Sequence, residues 1–429
     1  MARLFALFFV FVLDFLSAAY ACKTSHATDG CLWSPLVTKN ELTCDTPWSR
    51  RRQAAGGGAF GAAKKQDELL SEEENDDEAK PSVWQGPANC NGRHCIFWNE
   101  GLSGGIALIT TSHNAQLIAS WPTANDVLPE SPPFYAAQIP GKGTGLIANR
   151  TIRKGEIVMQ RTAALVINVT PHYDLDPETR EEFYRQALDK LPPRRRAAFM
   201  EQMGDDVYAK VDRNAFRMVI TDTPGATRKD ENKAHLGNFL GVSWFNHDCR
   251  PNTHYRINNI THTTVAVREI APGEEITVTY VDGTLRRAER QKRLDDWGFK
   301  CTCPQCSLPP DEAEESDRRL EALKMLGEEL EERVRTPGGL KEMMPEMGGR
   351  LAELYEQERL DSYLGHAYTR AALVYSMFED VEKTTEYAAK AAVAVARENG
   401  DDFPDAVAMR SLASHPQSHW SWGIGKELP

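Results

Sequence analysis

"NHDCRPN", residues 246–252, sets two amides, an imidazole, a thiol, an aspartate, an arginine and a proline side by side. Asn246 and His247 offer polar groups to a small ligand, whereas Cys249 offers a sulfur for a metal or a disulfide. The heptad alone does not choose between them. Further along, "CTCPQC" at 301–306 brings Cys301, Cys303 and Cys306 together, and three thiolates need one more donor to complete the tetrahedral shell of a zinc ion. Cys249 is the obvious fourth. Two disulfides are disfavoured, because Cys301 and Cys303 point to the same side of an extended segment and would need separate distant partners. A distant fourth ligand clamps the end of the domain onto the heptad loop, which makes metal binding part of folding.

The flanking segments alternate like strands. "HYRINNIT", "TTVAVREI" and "EEITVTYV" follow the heptad with β-branched alternation. Upstream, "GIALITT" and "AQLIASW" also read as strands, and "GTGLIANRTIRKGEIVMQRTAALVI" reads as two more joined by the turn "RKGE". Helices intervene: Asp176, with Pro177 and Thr179, caps "ETREEFYRQALDKL", and Pro193 opens "PRRRAAFMEQM". The expected fold is α+β. An N-terminal β segment covers 90–136 and a β-rich domain covers 137–306, with a helical insertion at about 171–235 and the zinc-binding segment at its end.

Beyond Pro310 the pattern turns helical. Leu320, Leu323, Leu326, Leu330 and Val334 form one stripe, and "AYTRAALVYSMF" with "VEKTTEYAAKAAVAVA" reads as an antiparallel pair. Residues 311–400 resemble a tetratricopeptide-type hairpin array but lack a clear 34-residue period. A plain helical cap on the first domain is the preferred reading, and 401–429 reads as an irregular tail.

A chain of 429 residues, 41 % apolar and 9 % aromatic, is enough for two or three folded domains. A net charge of −12 argues against direct nucleic-acid binding and suits a basic peptide partner. At the N-terminus Arg3, the apolar run "LFALFFVFVLDFL" and the small residues "SAAYA" have the sections of a secretory signal peptide over 1–21, interrupted by Asp14. A buried amphipathic leader or a misassigned start is the alternative. The run is shorter than the ~20 residues of a spanning helix, so no integral membrane segment is expected in the mature chain.

Residues 22–89 read as a cysteine-containing segment followed by a linker. "SRRRQ", "AAGGGAFGAAKK" and "SEEENDDE" cannot bury a core. The Arg50–Arg52 cluster suits a processing site, half a nuclear-import signal or an idle solvated run. Cys22, Cys31, Cys44, Cys90 and Cys95 fit disulfides of an oxidising compartment, with one thiol left over. The secretory pathway is therefore expected, with nucleus or cytoplasm the alternative. Glycans at the sequons Asn149, Asn168 and Asn259 discriminate between them.

Four motifs in order, "GKGTGLIA", "NHDCRPN", "GEEITVTY" and "WGFKCTCPQC", span about 137–306. In this set the chain resembles the SET-domain protein lysine methyltransferases, of the fungal type related to the SET and MYND subgroup. It departs from that subgroup in having no MYND cysteines in the insertion. The resemblance implies S-adenosylmethionine as cofactor beside Zn2+, and a lysine-containing protein as substrate. It places Lys142, Gly143, Thr144 and Gly145 at the amino-acid end of the cofactor, with Asn214 and Asn246 hydrogen-bonding it. The His247 main chain meets the adenine and Phe299 covers it, so the heptad's amide and imidazole face the cofactor while its thiol faces the metal. Tyr280 is the catalytic residue, also against the cofactor. Glu274 and Glu275 read as turn and fold residues, and Trp244, Phe245 and Trp297 as core, one of them a candidate for the lysine channel. Two other readings stay open: a catalytically silent scaffold whose helical region binds a protein partner, and a secreted disulfide-bonded binding protein.

Overall fold

The computed structural model describes residues 83–121, 132–220, 233–336 and 339–426. The expected signal peptide, the linker up to residue 82 and Cys22, Cys31 and Cys44 lie outside the described residues. The chain divides into a β-rich unit that ends at Pro309 and a helical unit that begins at Pro310.

The β-rich unit is built on a six-stranded sheet. Its strands are β1 (Gln85–Asn91), β2 (His94–Asn99), β3 (Ile106–Thr110), β7 (Leu165–Asn168), β8 (Ala215–Val219) and β9 (Ala234–Asn238), in the order β1-β2-β3-β7-β9-β8. Strands β3 and β7 run parallel, and every residue of both is buried. Their unbroken apolar runs follow from cover on two faces. Ile106, Leu108 and Val166 join one core, while Ala107, Ile109, Leu165 and Ile167 join a second with Phe183, Leu188, Phe199 and Val211 of the insertion.

Two smaller sheets complete the unit. β4 (Phe134–Ile139), β5 (Gly143–Ala148), β13 (Glu275–Val278) and the two-residue β10 (Asn246–His247) form one, in the order β10-β13-β5-β4. β6 (Ile157–Thr162), β11 (Thr253–Asn258) and β12 (Thr261–Ala266) form the other, in the order β11-β12-β6. The short β10 lies parallel to β13, with Asn246 opposite Thr277 and His247 opposite Val278. That pairing delivers the heptad to the site.

The structure corrects several expectations. "AQLIASW" is no strand but belongs to helix α1 (Ser112–Ser120): the Thr111 hydroxyl accepts from the Asn114 amide, and Ala115 and Ile118 bury one face at helical spacing. Residues 90–136 form no separate β segment, since β1, β2 and β3 belong to the same sheet as β7–β9 and β4 pairs with β5. The run 143–167 holds three strands rather than two, because Ala163 and Ala164 break the line between β6 and β7. Among the described residues the helical part of the insertion comprises α2 (Val169–Asp174), α3 (Pro177–Leu188), α4 (Pro193–Met200) and α5 (Val207–Asn214), and strands β8 and β9 follow where the helical insertion was expected to run to about 235. Asp176 and Pro193 do open α3 and α4 as expected. Of the early cysteines, Cys90 and Cys95 are disulfide-bonded across the β1–β2 hairpin.

The helical unit comprises α6 (Pro310–Arg335), α7 (Glu346–Gln357), α8 (Leu364–Met377), α9 (Val381–Asn399) and α10 (Pro404–Ser414) among the described residues. In α6, Leu320, Leu323 and Leu330 are buried, with Leu326 and Val334 half-buried beside them. Ala367, Ala371 and Ala394 bring α8 and α9 close across a three-residue turn. The supposed tail contains α10: Pro404 opens it, and Ala406, Met409 and Leu412 are buried at three-residue spacing. No described helix is long and apolar enough to cross a membrane.

Candidate active site and metal centre

The turn from β4 to β5 is a cradle. Gly143 adopts φ +79°, a left-handed conformation that favours glycine although a Cβ there would meet nothing within 4 Å. Gly145 is required for the opposite reason: a Cβ would stand 2.7 Å from the Asn246 Nδ2 and 2.7 Å from Ile139 Cγ1. The Asn246 amide reaches this gap, donating to Glu275 Oε1 at 2.9 Å and to the Thr144 carbonyl at 3.3 Å. Its Oδ1 has no protein partner among the described residues, so an acceptor remains for a ligand. Lys142 binds Glu275 Oε2 at 2.6 Å, and its backbone amide donates to the Ile139 carbonyl at 3.0 Å. Glu275 joins Lys142 to Asn246, and Glu274 caps a turn by accepting from Arg268 and the Ala271 amide. Both are fold residues, as expected.

Tyr280 lies two residues beyond the end of β13. Its hydroxyl donates to the Phe245 carbonyl at 2.7 Å, and its ring lies 4.5 Å from Trp297 and 6.5 Å, edge-on, from Phe299. Burial, reinforced by the Glu275 charge, pushes the phenol well above its ordinary range. The group stays neutral, its proton committed to a carbonyl and its oxygen lone pairs unspent. Phe245 is core, while Trp244 and Trp297 are half-buried.

His247 departs from expectation. Its Nδ1 accepts from the Tyr280 amide at 3.0 Å, and its Nε2 stands 3.3 Å from Cys249 Sγ. The imidazole is therefore turned inward, held between Tyr280 and the thiols, and only the main chain is left to face a ligand. Burial drops its pKa to about 3.

Cys249, Cys301, Cys303 and Cys306 converge: all four sulfurs lie within 4.8 Å of one another and all four residues are buried. A tetrahedral zinc ion with bonds near 2.3 Å sets its sulfurs about 3.8 Å apart, so the set fits that ion closely. Without a cation the four cannot all ionise. Hydrogen bonding among the four sulfurs pushes Cys249 up and holds it as a thiol, and pushes Cys306 down.

Residues 143–281 match the family described as SET domain. The chain carries a SET domain. An 82-residue stretch is 48 % identical to the histone-lysine N-methyltransferase set5 of Schizosaccharomyces pombe, covering 18 % of this chain and 25 % of that protein. A 112-residue stretch is 36 % identical to the histone-lysine N-methyltransferase SET5 of Meyerozyma guilliermondii, covering 25 % of this chain and 21 % of that protein. An 87-residue stretch is 37 % identical to the N-lysine methyltransferase SMYD2 of Gallus gallus, covering 20 % of each. The chain thus spans about a fifth to a quarter of the length of these relatives.

Within the SET domain the remaining expected residue stands apart in its bonding. Asn214, the last residue of α5, donates its amide to the Met203 and Lys210 carbonyls at 2.9 and 2.7 Å. Its side-chain amide braces the insertion.

Sequence reasoning missed three supports of the SET-domain site. Asn252 closes the heptad onto β13, donating to the Glu275 carbonyl at 2.8 Å and accepting from the Thr277 amide at 2.9 Å. Gln291 accepts from the Cys301 amide at 3.0 Å and donates to the Phe299 carbonyl at 3.1 Å. Arg290 is only 1 % exposed, with one amino group 3.9 Å from Cys306 Sγ. Burial works against its charge, yet the neighbouring Cys249 and Cys306 sulfurs outweigh that and raise its pKa. In "RRAERQKR" nothing distinguishes this arginine from its solvated neighbours; only the four-residue step to buried Leu294 marks its face.

Proposed function

We propose that the chain is an S-adenosylmethionine-dependent protein-lysine N-methyltransferase with a structural zinc centre. The observation that carries the proposal is Tyr280: a neutral buried hydroxyl tied to the Phe245 carbonyl, beside an asparagine with an open acceptor and a glycine turn that leaves room for a ligand. The three relatives, all named as lysine methyltransferases, support the same reading.

S-adenosylmethionine, when bound, supplies an electrophilic methyl on a sulfonium. The chain's own work is to bind and aim. Gly143 and Gly145 let the backbone approach, and Asn246 Oδ1 accepts from an ammonium. The Tyr280 oxygen, with its proton already committed, has lone pairs for C–H···O contacts and for the incoming amine. Phe299 and Trp297 close the apolar side. The net charge of −12 suits a basic lysine-containing segment as substrate. For the compartment we propose the secretory route, with glycosylation as the discriminator; Asn149 and Asn259 are exposed, but Asn168 is fully buried and caps α2 with its side chain.

Methyl transfer from labelled cofactor to a lysine-rich protein mixture, with calorimetry of cofactor binding, tests the reading. Tyr280→Phe is expected to cut turnover by about two orders of magnitude while leaving cofactor affinity within about threefold, since the hydroxyl acts in the transition state. Asn246→Ala is expected to weaken cofactor binding by about 1–3 kcal/mol, because it removes a hydrogen bond to a charged partner. Wild-type protein that binds no S-adenosylmethionine sinks the proposal in favour of a silent scaffold.

A further inference from the structure

Tyr280 is fastened at two points to one short stretch of chain. Its hydroxyl binds the Phe245 carbonyl, and its backbone amide binds the His247 ring. The amide can only donate, so Nδ1 of that ring must be the acceptor, and the single proton of the neutral imidazole then sits on Nε2. Nε2 stands 3.3 Å from Cys249 Sγ and points its N–H at a metal-ligating sulfur. Both ends of the ring are thereby committed, and the residue is 4 % exposed. An outer hydrogen bond of this kind orients a metal ligand and tunes its basicity. Here the same ring also sets the amide of the residue that faces the reacting atoms.

We propose that His247 is a positioning residue that joins the zinc centre to Tyr280, so that metal loading and the placement of the catalytic hydroxyl are one event. The inference rests on the methyltransferase reading for its kinetic consequence alone. A zinc-bound thiolate is a stronger acceptor than a free thiol, because it carries charge. Loss of the ion removes what fixes the Cys249 sulfur in place, loosens the Nε2–H···S contact and frees the ring to turn. The Tyr280 amide then loses its acceptor, and the residue loses one of its two anchors without any change in the cofactor cradle.

The first test needs no variant. Hydrogen exchange of the full chain, with and without zinc removed by a chelator, is read by mass spectrometry on the peptide containing Tyr280. Faster exchange there, with β3 and β7 still protected, is the expected result. Unchanged exchange at Tyr280, or a loss spread equally over the six-stranded sheet, overturns the proposal.

The second test separates the two ends of the ring. His247→Asn keeps an acceptor near the Nδ1 position and loses the donor to sulfur; zinc release to a chromogenic chelator should then quicken about tenfold or more, while exchange at the Tyr280 amide under saturating zinc stays near that of the wild type. His247→Gln keeps a donor near the Nε2 position and loses the acceptor for Tyr280. Zinc release should stay within about threefold of wild type while kcat falls about tenfold or more at unchanged cofactor affinity. Both readouts moving together in both variants overturns the proposal. Should the wild type transfer no methyl at all, the methyltransferase reading fails, and the exchange and zinc-release arms still decide the strut.

Discussion

The loop 246–252 and the helix pair α8–α9 are both interior, and they are held in opposite ways. Around the heptad, Asn246, His247, Arg250, Asn252 and Arg290 are all buried polar side chains, each bonded to a carboxylate, carbonyl, amide or sulfur. Between α8 and α9, Ala367, Ala371, Ala388 and Ala391 are fully buried, and the backbones approach because the side chains are small. The first region is specified by partners and the second by volume. A polar interior fails when one member of a pair is removed, since the other is left unsatisfied; a small-residue interior fails when something is added.

The largest expected effect breaks the first region. Cys249→Ser removes the ligand that ties the heptad to 301–306, and the zinc contribution to folding goes with it. Zinc content should fall to near zero and the β-rich unit should lose roughly 4 kcal/mol or more, a conservative share of the 10–16 kcal/mol that structural zinc contributes in small fingers. Metal analysis and denaturant unfolding check this, with exchange protection of α8 and α9 expected to persist. A variant that keeps its zinc removes the metal centre from the account.

The next effect is set by pH. His262 is fully buried against Tyr255 and Phe216, its Nε2 without a partner. Burial first, then the nearby His254 and Arg256 charges, lower its pKa to about 3. A buried histidine held neutral contributes stability that is complete above the unfolded pKa of about 6.5 and is lost as pH falls from there toward 3, at about 1.4 kcal/mol per unit. His235, bonded to Thr110 and the Lys233 carbonyl and lowered by burial to about 4, acts in the same direction. The urea midpoint should therefore drop between pH 6.5 and 4. His262→Phe keeps the stacked ring and should flatten that drop; an unchanged pH profile rules out His262 as its source.

Volume decides the third. Gly348 of α7 would place a Cβ 2.9 Å from Val374 Cβ and 3.0 Å from the Ala371 Cα of α8. Gly348→Ala should cost the helical unit about 1–3 kcal/mol, as overpacking does, measured as a lowered thermal midpoint with zinc content unchanged.

The same contrast explains what the sequence disclosed. The stripe from Leu320 to Val334 and the cap at Asp176 are local signals, and both elements form as read. The cysteine spacing and the order of the glycine turn, heptad and tyrosine located the site because such chemistry needs particular side chains. "AQLIASW" was misread because its β-prone residues are overruled by the Thr111 cap, and α10 because the Gly and His residues around it masked a three-residue apolar step. The inward turn of the His247 ring and the burial of Arg290 depend on contacts across 33 and 16 residues of chain. No local pattern carries such pairs.

The smallest effect concerns carboxylates. Glu386 of α9 bridges Lys383 at 2.9 Å and Lys390 at 2.8 Å, with all three side chains more than a third exposed. Exposed pairs of this kind contribute about 0.2–1 kcal/mol and are screened by salt. Glu358, at the end of α7, looks similar in sequence, yet its side chain is 1 % exposed and accepts from Ser316 and Arg319 of α6 at 2.7 Å each. Glu386→Gln should shift the helical unit by less than about 0.5 kcal/mol, and less still in high salt. Glu358→Gln, which weakens two charge-assisted bonds at a buried site, should cost about 1.5–3 kcal/mol with little salt dependence. Thermal unfolding of the two variants at low and high salt makes the measurement. Equal shifts for the two would mean that burial does not govern the strength of polar contacts in this chain, and the contrast between its two interiors would lose its physical basis.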